Sequence, residues 1–514
     1  MQVEGAKRRW LSLLLAMLAG TLTALSQPGY GMDWLSVVSL VPLFFALDNS
    51  RPKGAFLSSW VSGFVFFAVL LYWLFFLSDW AGPWIALGYL VLITYLSLYW
   101  GFFGLFFALS RNSLGWLRWL CVPTLWVSLE FLRSLTHFGF TWGYLSDALY
   151  MLPEFIQVSS VTGAWGVSFL IVLLNFLFFG ALGRRQIRFA LTGLGVIALD
   201  LLIGSLLMHS PDTETGHSLK IAVVHSHVDQ RDRSSPSQTD RLVELYASEV
   251  EQSVHSPVDL IVLPESIIPG FLLRNQEIFS RFSSLAETKR AWMIVGTLDY
   301  RLDHPGALYN SAALLSPQGQ LISAYDKVQL VPFSTEYFPF IEPLRQWGPL
   351  KDLLSRVPLG SLAPGAEFRP LQGKIGSFAT PICFESIFPS ISRDFIEAGA
   401  QAIVTLTNDG WFKDSLALPQ HFAKGVFRAV ETGRYFVQAS NAGISGIVSD
   451  KGRILETTDA KAEKTLEGRI FLHEGWTLYT RYGDWFIVLS LAILVASLGS
   501  ALLLTRRATL PATF

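Results

Sequence analysis

The sequence predicts a bundle of membrane-spanning helices joined to a layered α/β domain. Composition is the first reason: the 514 residues are 51% hydrophobic and only 15% charged, which is too apolar for an ordinary soluble protein. The second reason is how the chain divides. Long apolar runs fill most of the first 208 residues and recur near the carboxyl end, whereas residues 209–483 alternate short apolar runs with polar segments.

The long apolar runs predict eight transmembrane helices, because each run is about as long as a helix that crosses a bilayer. The predicted spans are residues 10–27, 33–48, 55–78, 83–109, 115–133, 164–182, 188–208 and 484–505. The first run is not interpreted as a signal peptide, since further spans follow at once. The chain therefore divides into a seven-span bundle (1–208), an extramembrane domain (209–483) and a final span with a short tail (484–514).

Lysine and arginine residues in the short loops predict which side of the membrane each loop faces. They cluster before span one, after spans two, four and six, and after span eight, and all of these positions fall on one side. The alternate loops SQPGYGMD and SDWAGP contain none. Because basic loops face the cytoplasm, both termini are expected there and residues 209–483 on the opposite side.

The surroundings of two groups of residues in the bundle, one charged and one aromatic, can also be predicted. Glu130 and Arg133 lie near the end of span five and would be costly in lipid, so they are expected to face protein, water or headgroups. The loop 134–163 is rich in aromatic residues and is interpreted as an aromatic belt at the membrane interface, with the wall of a lipid-facing cleft as the alternative. Its rings are those of His137, Phe138, Phe140, Trp142 and Tyr144.

Nine short runs in residues 209–483 predict β-strands, since they are rich in Val, Ile and Leu and are bounded by polar segments. They lie at 219–225, 258–265, 291–297, 309–316, 320–327, 374–383, 401–408, 434–440 and 444–450. The segments 238–253, 275–289 and 419–433 have apolar residues at helical spacing. Strands and helices interleaved in this way are typical of an α/β domain with buried sheets.

Three chemically reactive side chains stand at predicted strand ends, where sites gather in α/β folds. Glu265, Lys327 and Cys383 supply a base, a cation and a thiol, which together can activate the thiol and stabilise an oxyanion. Each also has a structural interpretation, respectively a helix N-cap, a surface lysine and a small buried residue. The other cysteine, Cys121, lies in span five and is expected to be inert, so Cys383 has no disulfide partner in its own domain.

Four motifs around these residues resemble the nitrilase superfamily and, within it, the membrane-embedded branch, the apolipoprotein N-acyltransferases. The motifs are LPESIIP (263–269), YNSAALLSPQGQLISAYDKVQLVPF (309–333), ICFES (382–386) and NDGWFKDS (408–415). They occur in the order typical of the family, and the eight-span layout also matches. The resemblance covers nearly the whole chain and implies a nitrilase-like αββα sandwich for residues 217–475.

The resemblance implies a Glu–Lys–Cys triad, carried over by motif. Glu265 corresponds to the general base, Lys327 to the group that stabilises the oxyanion and the thiolate, and Cys383 to the nucleophile. Glu336, in PFSTEYFP, corresponds to a second acid that helps to orient the lysine. Glu385 follows the nucleophile as the equivalent glutamate does in the family.

For function, the resemblance implies N-acyl transfer in two steps. Cys383 takes a fatty acyl chain from a phospholipid, and the thioester passes it to the amine of an S-diacylglyceryl-cysteine lipoprotein. The expected partners are therefore the phospholipid donor, the diacylated lipoprotein acceptor and membrane lipids. The chain is expected to act as a monomer, without cofactor or metal, in the bacterial inner membrane with its catalytic domain in the periplasm. A formal net charge of −1 gives no basic field for nucleic acid.

Several positions depart from the family pattern. His225-Ser226-His227 and Arg233-Ser234 replace a Gln-Gly-Asn and a Lys-Trp, and Gln329 stands where His is usual. PFSTEYFP has one residue more than the usual motif before Glu336, Phe384 replaces a common Tyr, and NAG (441–443) replaces NTG. None of these changes removes the triad.

Three further features have competing interpretations. His225 and His227 fit either a metal site or polar histidines with ordinary partners, and the second is favoured because a third ligand is missing. Trp411 and Phe412 are either core aromatics or the wall of an acyl pocket. The segment 337–363, with Trp347, is either a packed surface helix or a mobile lid at the membrane, and the lid is favoured slightly.

Two other functions remain open beside acyl transfer. The first is a membrane-tethered amidase or nitrilase that hydrolyses a small external substrate, although such an enzyme would need only one anchor. The second is a lipoprotein-binding scaffold that has lost catalysis, which the intact triad argues against.

Overall fold

The computed structural model describes residues 2–111, 115–136, 138–209, 217–255, 257–302, 304, 306–337, 348 and 362–509. The chain forms two compact units. The helical unit comprises Met1–His209 and Tyr482–Phe514, and the α/β unit comprises Ser210–Arg481.

In the helical unit, long α-helices alternate with short ones. Up to residue 209 they are α1 (Gln2–Leu25), α2 (Val41–Leu47), α3 (Pro52–Leu70), α4 (Ser78–Ala81), α5 (Trp84–Leu109), α6 (Arg118–Ser134), α7 (Pro153–Ile156), α8 (Ser159–Thr162), α9 (Ala164–Arg184) and α10 (Ile187–Met208). Short 3-10 helices lie at Asp33–Val37, Tyr72–Leu77, Gly115–Leu117 and Leu145–Leu149. The C-terminal helix, Trp485–Thr509, completes the unit.

Four helices among the described residues are long and apolar enough to cross a membrane, namely α3, α5, α9 and α10. The other predicted spans also fall on helices but do not meet that criterion. The run 33–48 is divided between a 3-10 helix and the short α2, which restarts with a proline in its first turn. The run 115–133 forms α6, which has 17 residues and contains Pro123. The expected eight spans are therefore represented by four clear membrane helices.

Small residues allow α3 and α5 to pack closely, as is common between membrane helices. A Cβ atom added at Gly104 of α5 would lie 2.2 Å from Ser59 Oγ and 2.4 Å from the carbonyl oxygen of Ala55 on α3. A larger residue at Gly104 would therefore push the two helices apart.

Glu130 and Arg133 face protein, which is one of the environments expected for them. Both side chains are buried. Glu130 Oε1 accepts a hydrogen bond of 3.0 Å from the backbone N–H of Leu145. Arg133 donates from Nη1 and Nη2 to the carbonyl oxygens of Trp142 and Gly143, at 2.6 and 3.2 Å. These hydrogen bonds offset part of the cost of burying charge.

Two rings of the aromatic loop 134–163, those of Trp142 and Tyr144, lie inside the helical unit. Trp142 packs on Trp73 with ring centroids 5.1 Å apart, and Tyr144 packs on Trp165 at 5.0 Å. Both are buried, so these two rings pack within the protein rather than form the aromatic belt that was expected at the membrane interface. His137 lies outside the described residues.

The α/β unit contains two six-stranded sheets within its described residues. The strands are β1 (His217–His225), β2 (Leu260–Val262), β3 (Trp292–Tyr300), β4 (Leu308–Leu315), β5 (Leu321–Asp326), β6 (Leu371–Gly373), β7 (Gly376–Ala379), β8 (Ala402–Asn408), β9 (Phe436–Asn441), β10 (Gly446–Val448), β11 (Ile454–Thr457) and β12 (Lys464–Leu472). The first sheet has the order β12-β1-β2-β3-β4-β5 and the second has the order β11-β10-β9-β8-β7-β6. Strands β1 to β3 and β7 to β9 run parallel.

The described part of the α/β unit also contains α-helices, several of which pack on the two sheets. They are α11 (Gln230–Arg233), α12 (Thr239–Ser253), α13 (Gln276–Lys289), α14 (Pro389–Glu397), α15 (Ala417–Thr432) and α16 (Leu478–Tyr482), with 3-10 helices at Pro236–Gln238, Cys383–Ile387 and Asp409–Phe412. Ala222 and Val224 of β1 share a core with α12 and α13. Ile221 and Val223 alternate with them and are also buried, on the face toward the second sheet. The layers thus follow the expected order of helix, sheet, sheet, helix.

Each of the nine predicted runs contains a strand, and α12, α13 and α15 coincide with the three predicted helices. Two details differ. Strands β6, β11 and β12 were not expected, and neither Glu265 nor Cys383 directly ends a strand, because β2 and β7 stop a few residues earlier. Pro264 and Pro381 follow these strands and have no N–H group to continue the ladder.

Candidate active site

Glu265 lies in a turn just beyond β2 that holds its carboxylate inside the α/β unit. The side chain is buried, and Oε1 accepts a hydrogen bond of 2.7 Å from Asn310 Nδ2 on β4. Arg233, at the end of α11, donates from Nη2 to the carbonyl oxygens of Glu265 and Ser266. Ser266 has a φ of 41°, a conformation that needs support from its neighbours. Arg233 therefore supports the backbone of the turn, and Asn310 fixes the carboxylate.

Lys327 follows β5 and is fully buried. Its backbone N–H donates to the carbonyl of Asn310 at 2.8 Å, which keeps it beside β4. Its Nζ lies 2.6 Å from Glu336 Oε1, and Glu336 Oε2 accepts a hydrogen bond of 2.8 Å from Val331 N–H. A buried ion pair is stable only when its remaining polar atoms have partners. The segment 327–337, hereafter the Lys327 turn, supplies those partners from its own backbone.

Cys383 begins the 3-10 helix Cys383–Ile387, hereafter the Cys383 turn. The residue is partly exposed, and its φ is 52°, in the left-handed region that few non-glycine residues adopt. Ser386 Oγ donates a hydrogen bond of 2.8 Å to the carbonyl of Cys383. The candidate nucleophile thus lies in a tight turn that is stabilised by a hydrogen bond between two of its own residues.

The charges of the three candidate residues act on one another, so the fold brings them into one site. Burial raises the pKa of Cys383 well above its ordinary value; Glu265 adds to this effect and Lys327 opposes it. Burial also raises the pKa of Glu265, against the effect of Lys327. For Lys327, burial acts to lower the pKa, but the carboxylates of Glu336 and Glu265 outweigh it and the pKa is raised. The site therefore holds a protonated thiol, a charged ammonium and a carboxylate more basic than an ordinary glutamate.

Glu385 joins the two turns. Its Oε1 accepts hydrogen bonds from Tyr325 OH at 2.7 Å, Val328 N–H at 2.8 Å and Gln329 N–H at 2.9 Å. Its Oε2 accepts a bond of 2.7 Å from Ile382 N–H. Burial raises its pKa to about 6, against these hydrogen bonds. A carboxylate with so many donors is suited to organise the backbone rather than to exchange protons with a substrate.

Two residues of the site, Asp409 and His421, were not predicted. Both are buried, and Asp409 Oδ1 lies 2.8 Å from His421 Nδ1. The Nε2 atom of His421 lies 3.0 Å from Ser386 Oγ and 3.3 Å from the carbonyl oxygen of Cys383. Two signals were available in the sequence: Asp409 lies within the NDGWFKDS motif, and His421 is a polar residue in the predicted helix 419–433, which is buried along its length as α15.

The remaining predicted site residues surround this centre less directly. Phe384 follows the thiol and packs edge-on against Phe388, with ring centroids 5.1 Å apart. Trp411 and Phe412 lie in the 3-10 helix that begins with Asp409, and both are partly buried. Trp347 and most of the segment 337–363 lie outside the described residues.

A cavity of about 270 Å³ lies in the α/β unit. Its lining residues are His227, Val228, Asp229, Gln230, Gly410, Lys413, Asp414, Leu418, Ala442, Ala460 and Lys461. The triad, Trp411 and Phe412 are not among them. Asn408 Nδ2 donates to Gln230 Oε1 at 2.6 Å, so this cavity is bounded by the same loop that carries Asp409.

His225 and His227 have ordinary protein partners. His225 Nδ1 lies 2.8 Å from Ser445 Oγ, and His227 Nδ1 lies 3.1 Å from the carbonyl oxygen of Ala460. Among the described residues, no group of three His, Cys, Asp or Glu side chains is arranged to hold a metal ion.

Similarity to known proteins extends over nearly the whole chain. Residues 19–177 match the family model of the apolipoprotein N-acyltransferase N-terminal domain, and residues 220–474 match that of carbon-nitrogen hydrolases. An apolipoprotein N-acyltransferase of Geobacter metallireducens is 34% identical, over 94% of both chains. One from Thermotoga maritima is 32% identical, over 96% of this chain and 95% of its own. This chain belongs to the apolipoprotein N-acyltransferase family.

A carbon-nitrogen hydrolase of known structure, from Helicobacter pylori G27, is similar at 17% identity and a TM-score of 0.39, over 52% of this chain and 95% of its own.

Two positions at which this chain differs from the usual motifs of the apolipoprotein N-acyltransferase family, Gln329 and Arg233, contact the candidate site. Gln329, where the family usually has His, contributes its backbone N–H to Glu385. A change of side chain leaves that hydrogen bond in place. Arg233, where the family often has Lys, supports the turn of Glu265 through its guanidinium. Both residues therefore take part in contacts of the candidate site.

Proposed function

We propose that the chain transfers a fatty acyl group from a phospholipid to the N-terminal amine of an S-diacylglyceryl-cysteine lipoprotein, through a thioester on Cys383. The observation that supports this most strongly is the cluster of Glu265, Lys327 and Cys383, in which the two charged side chains are buried and the thiol is partly exposed. A thiol kept protonated at rest, a basic carboxylate and a fixed ammonium are the groups that acyl transfer through a cysteine needs.

In the first step, Sγ of Cys383 attacks the ester carbonyl of the phospholipid while Glu265 accepts the thiol proton. The ammonium of Lys327 and the backbone N–H groups that follow Cys383 stabilise the oxyanion. The tetrahedral intermediate then collapses and the C–O bond of the ester breaks. The alkoxide of the lysophospholipid leaves with the proton from Glu265, and the acyl group remains as a thioester.

In the second step, the lipoprotein amine attacks the thioester carbonyl and gives a proton to Glu265. The C–S bond breaks, and the departing thiolate of Cys383 takes that proton to restore the starting thiol. Glu336 serves both steps indirectly, because its ion pair holds Lys327 in place. The thioester survives until the amine arrives only if water is kept from it.

The proposal includes a location for the substrates. Trp411 and Phe412 are proposed to line the path of the acyl chain, since both are large rings near the loop of Asp409. The α/β unit, within the predicted domain 209–483, is proposed to lie in the periplasm because the basic loops of the bundle face the cytoplasm. The enzyme is proposed to work as a monomer.

Eight spans are proposed for this topology. They comprise the four apolar helices α3, α5, α9 and α10, together with α1, the segment Asp33–Leu47, α6 and the C-terminal helix. An even number of spans is what places both termini on the same, cytoplasmic side.

The test is a transfer assay with purified protein, phospholipid carrying an isotopically labelled acyl chain, and a synthetic peptide that begins with S-diacylglyceryl-cysteine. We expect N-acylated peptide and lysophospholipid in equal amounts by mass spectrometry, and no product with a peptide whose amine is acetylated. Release of free fatty acid without peptide acylation, or hydrolysis of short amides alone, would instead support the membrane-tethered amidase.

A further inference from the structure

The Cys383 turn has a backbone conformation that must be held by its surroundings. Cys383 has a φ of 52°, a conformation that is unfavourable for a residue with a side chain. That conformation aims both Sγ and the N–H groups that follow it. Any group that fixes the carbonyl of Cys383 therefore also fixes the direction of attack.

The carbonyl of Cys383 has two polar neighbours, Ser386 Oγ at 2.8 Å and His421 Nε2 at 3.3 Å. These neighbours are also 3.0 Å from each other. The hydroxyl has one proton and the carbonyl has none. All three contacts are satisfied together only if Nε2 carries a proton, so that the hydroxyl can give its own to the carbonyl.

The other ring nitrogen of His421 also carries a proton. Nδ1 lies 2.8 Å from Asp409 Oδ1, and a carboxylate can only accept. Asp409 is itself held, since Thr407 Oγ1 and Ser440 Oγ donate to its two oxygens at 3.2 Å each. The hydrogen bonds thus indicate an imidazolium paired with a carboxylate. In agreement, burial acts to lower the pKa of His421, but Asp409, the carbonyl of Cys383 and Glu265 together outweigh it and the pKa is raised.

Helix α15 holds the far end of the same turn as well. Arg428 Nη1 donates a bond of 3.0 Å to the carbonyl of Ile387, the last residue of the Cys383 turn. His421 and Arg428 are about two helical turns apart, so they lie on one face of α15. This face of α15 therefore contacts the first and last carbonyl groups of the Cys383 turn, through His421 and Arg428.

We propose that His421 and Asp409 form a positioning pair, an imidazolium and a carboxylate that fix the carbonyl of Cys383 and so aim the nucleophile. The inference rests on the proposed role of Cys383. His421 acts through the backbone and through charge, and it does not exchange protons with the substrate. The charged groups that act on the thiol are Glu265, Lys327 and Asp409, and His421 offsets the charge of Asp409.

The test measures the rate at which iodoacetamide alkylates Cys383 as a function of pH, by peptide mass spectrometry of the full-length protein. His421→Gln leaves Asp409 uncompensated, so we expect the pH midpoint of alkylation to rise by about one unit and acyl transfer to fall by about tenfold or more. Asp409→Asn removes the charge and lets His421 become neutral. We expect transfer to fall similarly in this variant, with little shift of the midpoint.

The control is Thr432→Ala, which removes a buried hydroxyl at the far end of α15 and should change neither quantity. Equal midpoints in His421→Gln and Asp409→Asn, or wild-type transfer in both, would overturn the proposal. If His421→Gln does not fold, transfer at the wild-type rate by folded Asp409→Asn is sufficient to reject it. Absence of transfer in the wild-type protein would instead count against the proposed function.

Discussion

The Lys327 turn and the Cys383 turn meet at one site but are held in different ways. The Lys327 turn is held by charge, because its buried ammonium pairs with Glu336 at 2.6 Å. The Cys383 turn is held by hydrogen bonds to its carbonyl groups, including those from Ser386 and from Arg428 on α15. The group expected to stabilise the oxyanion and the group expected to attack are therefore held by different kinds of interaction. Glu385 then sets the two at a fixed separation.

The largest effect is expected from the Lys327 turn. Lys327→Met removes the ammonium and leaves the carboxylates of Glu265 and Glu336 without their cation, so acyl transfer should fall by about 10³-fold. The rate of thioester formation with labelled phospholipid measures this. Lys374→Met, which changes an exposed lysine, is the matched control and should leave the rate of thioester formation unchanged. Transfer within tenfold of wild type in Lys327→Met would show that charge is not what this turn contributes.

Removal of the link between the turns should mainly affect stability. Glu385→Ala leaves Tyr325 and three backbone N–H groups without their acceptor, which should cost about 3 kcal/mol or more. For a unit of this size the thermal midpoint should drop by roughly 10 °C. Glu397→Ala changes an exposed glutamate on α14 and should not move the midpoint. An unchanged midpoint in Glu385→Ala would mean that the two turns do not depend on this carboxylate.

The pH dependence of kcat/KM should change when Asn310, the hydrogen-bond partner of Glu265, is replaced. Burial raises the pKa of Glu265, and the hydrogen bond from Asn310 lowers it by favouring the charged form. Asn310→Ala removes that bond, so the pKa should rise further. Because the base acts in its deprotonated form, the acid limb of kcat/KM should move to higher pH by about one unit. An acid limb that stays in place or moves to lower pH would argue against Glu265 as the base.

The smallest effect is expected beside the nucleophile. Phe384 is partly exposed and packs on Phe388, so Phe384→Tyr restores the residue common in the family without disturbing a buried contact. Stability should change by no more than about 0.5 kcal/mol, and transfer should stay within threefold. A large gain or loss of transfer would show that this ring contacts the substrate.

The sequence predicted the Lys327 turn more completely than the Cys383 turn. Lys327, Glu336 and Glu265 lie in local motifs, so their association followed from the resemblance. His421 lies in a helix remote from Cys383 in sequence, and only the packing of α15 against the turn reveals its contact. Nine strands were predictable from apolar runs, whereas β6, β11 and β12 were missed. All three are edge strands. Strand β6 has only three residues, and β11 and β12 have exposed charged positions, which weaken the apolar pattern.

The structure of the helical unit was also only partly predictable from the sequence. Within the described residues, four helices meet the length and hydropathy expected for a bilayer. Pro123 interrupts α6, and the run 33–48 is divided between a 3-10 helix and α2. The burial of Trp142 and Tyr144 could not be predicted, since an aromatic residue has the same composition signal in a core and at an interface.

Cys383 as carrier of the acyl group is the central claim, and the mass of the enzyme after incubation with phospholipid alone tests it most directly. The chain has two cysteines, and buried Cys121 serves as an internal control. We predict a fatty acyl mass on the peptide that contains Cys383, released by hydroxylamine, present in Cys121→Ala and absent in Cys383→Ala. A wild-type enzyme that transfers acyl chains but never acquires this mass, or acquires it on another residue, would contradict the account.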